Sequence, residues 1–156
     1  MSNKVKSVPE GYHSVIPYLI IQDATQALEF YKKAFEAIEV MRMPTPDGKI
    51  GHAEIKIGDS HIMLADEFPE RGFRGPKALG GTPVGIMVYV ENVDETVSKA
   101  VAAKAKILQP VKNQFYGDRS GQIEDPFGHS WYIATHIEDV PPKEMEKRAA
   151  EWSKST

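Results

Sequence analysis

The chain has 156 residues, 41% hydrophobic and 26% charged, with 19 basic side chains against 22 acidic ones, a net charge of −3 and no cysteine. That balance suits a globular protein with a core of its own and leaves no electrostatic footprint for nucleic acid or an anionic membrane. Without cysteine there is no disulfide, no thiolate nucleophile and no cysteine-built zinc site, which fits a reducing, cytoplasmic setting.

Residues 1–11 read as a loose polar leader ending at Pro9-Glu10-Gly11, with no apolar run of signal-peptide or membrane-span length. His13 to Ile21 is short and rich in β-branched and aromatic residues, and reads as a strand. Asp23 offers an N-cap, and behind it Ala24, Ala27, Leu28, Tyr31, Ala34 and Phe35 recur at helical spacing. A second strand is expected over Glu39–Met43, a turn at Pro44–Gly48, a third strand over Ile50–Ile57 and, after Gly58-Asp59, a fourth over Ser60–Ala65. Asp66 to Thr82, with four glycines and two prolines, reads as a connecting loop.

The same order then returns: a strand over Val84–Val90, a helix over Val93–Ala105, and strands over Ile107–Pro110, Gly117–Glu124 and Ser130–His136. Gly51/Gly121, Glu54/Glu124, Gly58/Gly128 and Ser60/Ser130 each lie 70 residues apart, whereas Ile21/Val90 and Leu28/Val97 lie 69 apart. A repeat of that length is a statement about the fold: two βαβββ units, neither of which buries its sheet alone. The expected organisation is one domain over 1–137, with modules at about 13–66 and 84–137, a linker at 67–83 and a helical tail at 138–156. In the tail, Met145, Ala149 and Trp152 share a helix face that needs a docking surface on this chain or a partner.

Asp23 with Ala27-Leu28-Glu29-Phe30-Tyr31, and the turn Asp125-Pro126-Phe127-Gly128, resemble the glyoxalase/bleomycin-resistance/extradiol-dioxygenase superfamily, the vicinal oxygen chelate fold. Pro17-Tyr18-Leu19, Gly51-His52-Ala53-Glu54, Gly117-Asp118-Arg119 and His129-Ser130-Trp131 narrow the likeness to its PhnB-like branch. The resemblance covers about Val15 to Ile137. It implies an α+β fold whose two βαβββ modules form a curved mixed sheet around a central concavity, with the C-terminal helix added, and it implies a homodimer. In the family's metal-dependent members the ligands stand on the first and fourth strands of each module. Carried over by spacing, those positions are Ile16, Ile62, Gly85 and Tyr132, none of which makes a His/Glu site. No cofactor is therefore expected.

Strand alternation assigns the remaining faces. With Ile16, Ile62, Gly85 and Tyr132 turned to the concavity, Tyr18, Ile20, Ser60, Leu64, Met87, Tyr89, Ser130 and His136 turn with them, and His61 turns to the helix side. Ala53, Ile55 and Ile57 face the first helix, which leaves His52 and Glu54 inward; by the repeat, Gln122 and Glu124 are inward too. The expected ligand contacts are Tyr18, Met87, Tyr89, Gln122, Ser130, Tyr132 and Arg119, and the candidate catalytic groups are His52, Glu54 and Glu124. His52 and Glu54, two apart on one strand face, suit a shared proton as well as a hydrogen-bonded pair, and Arg119 suits a structural ion pair as well as an anionic ligand. The pattern favours a protein that binds a small organic molecule in the inter-module cavity without the usual divalent metal. The alternatives are a lyase, isomerase or dioxygenase with a relocated metal on His52, Glu54 and Glu124, and a non-catalytic dimeric scaffold or regulatory module.

Overall fold

The structure, a computed structural model, describes residues 4–156; positions 1–3 of the expected leader lie outside the described residues. Two compact units divide the chain, Met1–Gly80 and Gly81–Thr156.

The first unit runs β1 (Tyr18–Ile21), α1 (Ala24–Phe35), β2 (Ile38–Pro44), β3 (Ile50–Ile57) and β4 (Ser60–Asp66). Its mixed sheet has the order β1-β4-β3-β2, with β1 parallel to β4 and the other pairs antiparallel. The first strand is shorter than the expected His13–Ile21, because Pro17 has no N–H to give to a ladder and the stretch before it is tied elsewhere, His13 to the Asp59 carbonyl. Asp23 caps α1 by accepting from the Gln26 amide at 3.2 Å. Asp66, the last residue of β4, accepts from the amides of Ala24 and Asp23 with one carboxylate oxygen and from Ile50 with the other. One side chain thus pins the start of the helix to the start of β3. The apolar stripe of α1 puts Ala24, Ala27, Leu28, Tyr31, Ala34 and Phe35 in the core, and a fully buried Leu or Tyr of this kind contributes about 1.5–3 kcal/mol.

The stretch expected as a plain loop has structure of its own: a 3₁₀ turn at Pro69–Arg71, a short helix α2 (Pro76–Leu79), and a bridge pairing Phe68 with Phe73. Proline at each helix start and glycine at each end supply the required backbone angles, so the breakers that read as loop serve here as caps.

The second unit repeats the topology with β5 (Gly85–Tyr89), α3 (Val93–Ala102), β6 (Lys106–Asn113), β7 (Asp118–Glu124) and β8 (Ser130–His136), in the sheet order β5-β8-β7-β6. β6 is longer than expected; register shifts between Ile107 and Lys112 let the strand continue past Pro110. α3 stops three residues before the expected Ala105, with Lys104 in the left-handed region. A final helix, α4 (Pro142–Ser155), docks on its own unit: the Trp152 ring lies 5.7 Å from that of Phe115, and Arg148 forks onto Glu138 while reaching the Phe115 carbonyl. Among the described residues, no helix is long and apolar enough to cross a membrane.

The two last hairpins differ, and the difference reverses one set of side chains. β3 and β4 are joined by the two residues Gly58-Asp59, with Ile57 opposite Ser60. β7 and β8 are joined by the five residues from Asp125 to His129, with Glu124 opposite Ser130. A turn longer by an odd number of residues puts the following strand other side up relative to a fixed repeat. The 70-residue match of Gly58 with Gly128 and of Ser60 with Ser130 is therefore a likeness of sequence and not of position. Ser60, Ile62 and Leu64 lie opposite Ile57, Ile55 and Ala53 on the helix side, contrary to the expectation of an open-face position. His61, Met63 and Ala65 share the open face with Glu54 and Tyr18, contrary to the expected helix-side place of His61.

Candidate functional site

On the open face of the first sheet, β1, β3 and the segment before β1 bring four polar side chains into a chain of hydrogen bonds. The Tyr18 hydroxyl meets His52 Nδ1 at 2.8 Å, His52 Nε2 meets Glu54 Oε1 at 3.1 Å, and the Tyr12 hydroxyl donates to Glu54 Oε2. The Tyr12 ring in turn stacks on His61, with centroids 3.9 Å apart, and His61 Nδ1 is buried without a hydrogen-bond partner. His52 and Glu54 fall on one face because they are two residues apart on a strand whose other face packs against α1 through Ala53 and Ile55. Tyr12 was not legible as a member: it precedes β1, outside any periodic segment.

Exposure falls along the chain, from Tyr18, which is 48% exposed, to Glu54 at 7%. The Tyr12 hydroxyl, and to a lesser degree His52, hold the Glu54 carboxyl below the usual carboxylate range against the opposing effect of burial. Burial pushes the Tyr18 phenol up, and the Glu54 charge adds to it, so Tyr18 is a neutral hydroxyl at physiological pH.

Beside this chain, and within the same unit, lies a groove of about 960 Å³. Tyr18, Ile20 and Ala65 contribute its sheet side, Ile50 the start of β3 with Lys49 just before it, and Phe68 and Phe73 the bridged loop. The Arg71 guanidinium stands 5.1 Å over the Phe68 ring. Glu67 receives the Gly75 amide at 2.8 Å, which ties the loop back on itself. Of the expected ligand contacts, Tyr18 is the one that lines this groove.

The other expected contacts lie in the second unit. Met87, Tyr132 and Gln122 form one cross-strand row of its open face, and Gly85, Ser130 and Glu124 form the next; Tyr89 lies beyond, opposite Ala134. Gln122 donates to the Ser130 hydroxyl at 2.9 Å. Arg119 is not with them. It sits opposite Thr135 on the helix side, where it forks onto Asp94 of α3 at 2.8 and 2.9 Å and also reaches Asn113. Arg119 is thus a strap between β7 and α3 through Asp94, on the helix side because residue 119 has the strand parity opposite to Gln122 and Glu124.

A second polar chain closes the end of the same face. Asp118, almost fully buried, accepts from the Tyr89 hydroxyl at 2.7 Å and meets His136 Nδ1 at 2.7 Å, while His136 Nε2 meets Asp139 at 2.7 Å. Its signal was present in the parity of Asp118, shared with Gln122, and in the inward place of His136. Asp118, and then Asp139, raise the His136 pKa. A histidine whose folded pKa stands above its unfolded value of about 6.5 contributes stability that is complete below that value and is lost as pH rises through the folded pKa. Urea midpoints are expected to fall as pH rises from about 6 to about 8, and the difference between wild type and His136→Gln should shrink over that range. A constant difference would show that the histidine carries no such linkage.

A family model of the Glyoxalase/Bleomycin resistance protein/Dioxygenase superfamily matches residues 12–133. The chain belongs to this superfamily. An uncharacterised protein of Mycobacterium bovis is 40% identical over 133 residues, covering 83% of this chain and 88% of that one. TioX of Micromonospora sp. ML1 superposes with a TM-score of 0.64 at 27% identity, over 80% of this chain and 99% of its own. A PhnB protein of Bacillus cereus shares the fold, with a TM-score of 0.64 at 19% identity over 79% of this chain and 99% of its own.

The superfamily's metal-dependent members suggest a test of whether the residues present fit a divalent ion. They do not. Ile16 precedes β1, Ile62 faces the helix, and Gly85 has the Tyr132 ring where a side chain would stand, with Cε2 only 2.3 Å from an added Cβ. With the β4 faces corrected, the open-face positions are His61, Met63 and Ala65, and the histidine is stacked under Tyr12. Among the described residues no three His, Asp or Glu side chains gather so as to hold a metal ion. His52 and Glu54 spend their polar atoms on each other and on two tyrosine hydroxyls.

Proposed function

We propose that this superfamily member binds a small organic molecule in the groove of its first unit, with Tyr18 supplying the polar contact and Phe68 and Phe73 the apolar one. The observation that carries the reading is the groove itself. Its volume of about 960 Å³ is that of a small-molecule site, and it joins aromatic walls to a few convergent polar groups, the usual make-up of such sites. The two phenylalanines are about half exposed, apolar surface that a ligand would remove from water at about 25 cal/mol per Å².

The test is a thermal-shift screen with aromatic and amphiphilic compounds, followed by titration of any stabiliser. A ligand present at about 100 times its Kd is expected to add about 2.7 kcal/mol to the unfolding free energy. Phe73→Ala should weaken that ligand by roughly tenfold, the equivalent of about 1.4 kcal/mol of lost apolar contact, with little change in the stability of the free protein. A screen without a single stabiliser, or a stabiliser indifferent to both Phe73→Ala and Tyr18→Phe, would overturn the reading.

A further inference from the structure

The hydrogen bonds among Tyr18, His52, Glu54 and Tyr12 have a direction that follows from the carboxylate at their centre. An ionised Glu54 only accepts, so the Tyr12 hydroxyl and His52 Nε2 both donate to it. A neutral imidazole that donates at Nε2 accepts at Nδ1, so the Tyr18 hydroxyl donates its proton to His52. The Tyr18 oxygen then keeps its lone pairs for a further donor, on a side chain that is 48% exposed and lines the groove. A network that only braced the sheet would end in satisfied, buried groups. This one ends at the hydroxyl of a half-exposed residue that lines a site of ligand size.

We propose that Tyr18, His52 and Glu54 form an acid–base triad that takes a proton from an acidic hydroxyl of the molecule bound in the groove. The substrate O–H bond breaks and its proton passes to the Tyr18 oxygen, while the proton of Tyr18 passes to His52 Nδ1. The substrate is left as an oxyanion and His52 as an imidazolium, whose charge the buried Glu54 carboxylate offsets. No electron changes hands and no co-reactant is needed. The arrangement is hydroxyl, imidazole and buried carboxylate in series, in which the carboxylate fixes the tautomer and stabilises the imidazolium. Tyr18 is the catalytic residue; His52 receives its proton; Glu54 is a positioning residue, with Tyr12 holding its second oxygen. The proposal rests on the groove-binding reading, since the hydroxyl must be delivered to Tyr18.

A base-assisted hydroxyl is detected without knowledge of the substrate by phenylmethanesulfonyl fluoride. Its sulfur accepts the Tyr18 oxygen as the S–F bond breaks, fluoride leaves, and the phenolic proton goes to His52. Peptide mapping of the full chain is expected to find Tyr18 modified ahead of the other tyrosines, Tyr116 included. His52→Gln is expected to slow that modification by on the order of tenfold, about 1.4 kcal/mol of barrier. Equal rates in wild type and His52→Gln, or no preference for Tyr18, would overturn the triad.

Because His52→Gln disturbs a half-buried network, the histidine ring of the intact protein gives a second reading. Long-range ¹⁵N–¹H spectra should show His52 protonated at Nε2 with Nδ1 as acceptor, and Tyr18→Phe should move the Nδ1 resonance; an Nδ1–H tautomer sinks the proposal. Equal labelling rates with a stabilising ligand in hand would remove the triad and leave the groove reading standing. Labelling that depends on His52, in a protein no compound stabilises, would remove the groove reading and leave Tyr18 activated.

Discussion

Asp125→Ala is expected to destabilise the second unit by about 3–5 kcal/mol, and equilibrium urea unfolding will show it as a lower midpoint with an unchanged slope. The estimate follows from three donors. One carboxylate oxygen of Asp125 accepts from the amides of Phe127 at 2.9 Å and His129 at 3.0 Å, and the other accepts from the indole N–H of Trp131 at 2.9 Å. Asp125 is 3% exposed and Trp131 is fully buried, so water does not readily replace the lost acceptor. Each buried donor left unmatched costs about 1–3 kcal/mol. The sum is reduced where the turn relaxes, since the Asp125 amide still reaches the His129 carbonyl at 2.8 Å. Asp125→Asn keeps one carbonyl acceptor and should lose about 1–2 kcal/mol, by the same principle. A loss below about 1 kcal/mol for the alanine variant would mean that the Asp-Pro-Phe-Gly turn holds itself without the aspartate.

Gly117→Ala is expected to cost at least about 3 kcal/mol, for a backbone reason. Gly117 has φ +101°, and a Cβ there would stand 2.1 Å from the Glu138 carbonyl oxygen and 3.1 Å from Val140 Cγ2. The Gly117 carbonyl also accepts from the amides of Ile137 and Glu138, so the two segments cannot part without losing both bonds. Beyond them, Glu138 holds Arg148 of α4, and any displacement is passed to the C-terminal helix. Gly48→Ala is the control. It too has positive φ, +84°, but nothing lies within 4 Å of its added Cβ, so only the conformational strain of about 1 kcal/mol should appear. Similar losses in the two variants would show that the close approach at residue 117 is relieved at no cost.

These two sites show what a sequence states and what it leaves open. Asp125-Pro126-Phe127-Gly128 was legible as a turn from its residue types, and Gly117 as part of the segment entering a strand. That Asp125 is the shared acceptor of two amides and an indole depends on Trp131 reaching back across the hairpin. That Gly117 admits no side chain depends on a segment about twenty residues later in the chain. The same holds at the candidate site. His52 and Glu54 were placed on one strand face by alternation alone. Tyr18 was placed on the open face by the parity of its strand, but its bond to His52, 34 residues on, belongs to the pairing of β1 with β4 and of β4 with β3. For Arg119 the sequence left a structural ion pair and an anionic ligand both open, and the structure pairs it with Asp94.

By itself, the sequence determined the two βαβββ units, the helix stripes, the hairpin loops and the faces of β3. Each of these depends on side-chain periodicity and turn chemistry within a dozen residues, interactions that neighbours along the chain decide. Only the tertiary structure decided which face of β4 is open. Ser60 and Ser130 stand at the same distance in the repeat, yet a two-residue turn before one and a five-residue turn before the other send equivalent residues to opposite sides of their sheets. That reversal removes Ile62 from the open face and brings His61 to it, beneath Tyr12. It also puts Met63 on the open face, in the cross-strand row of Tyr18 and Glu54. Register is a property of two paired strands, so a repeat counted along one chain does not contain it.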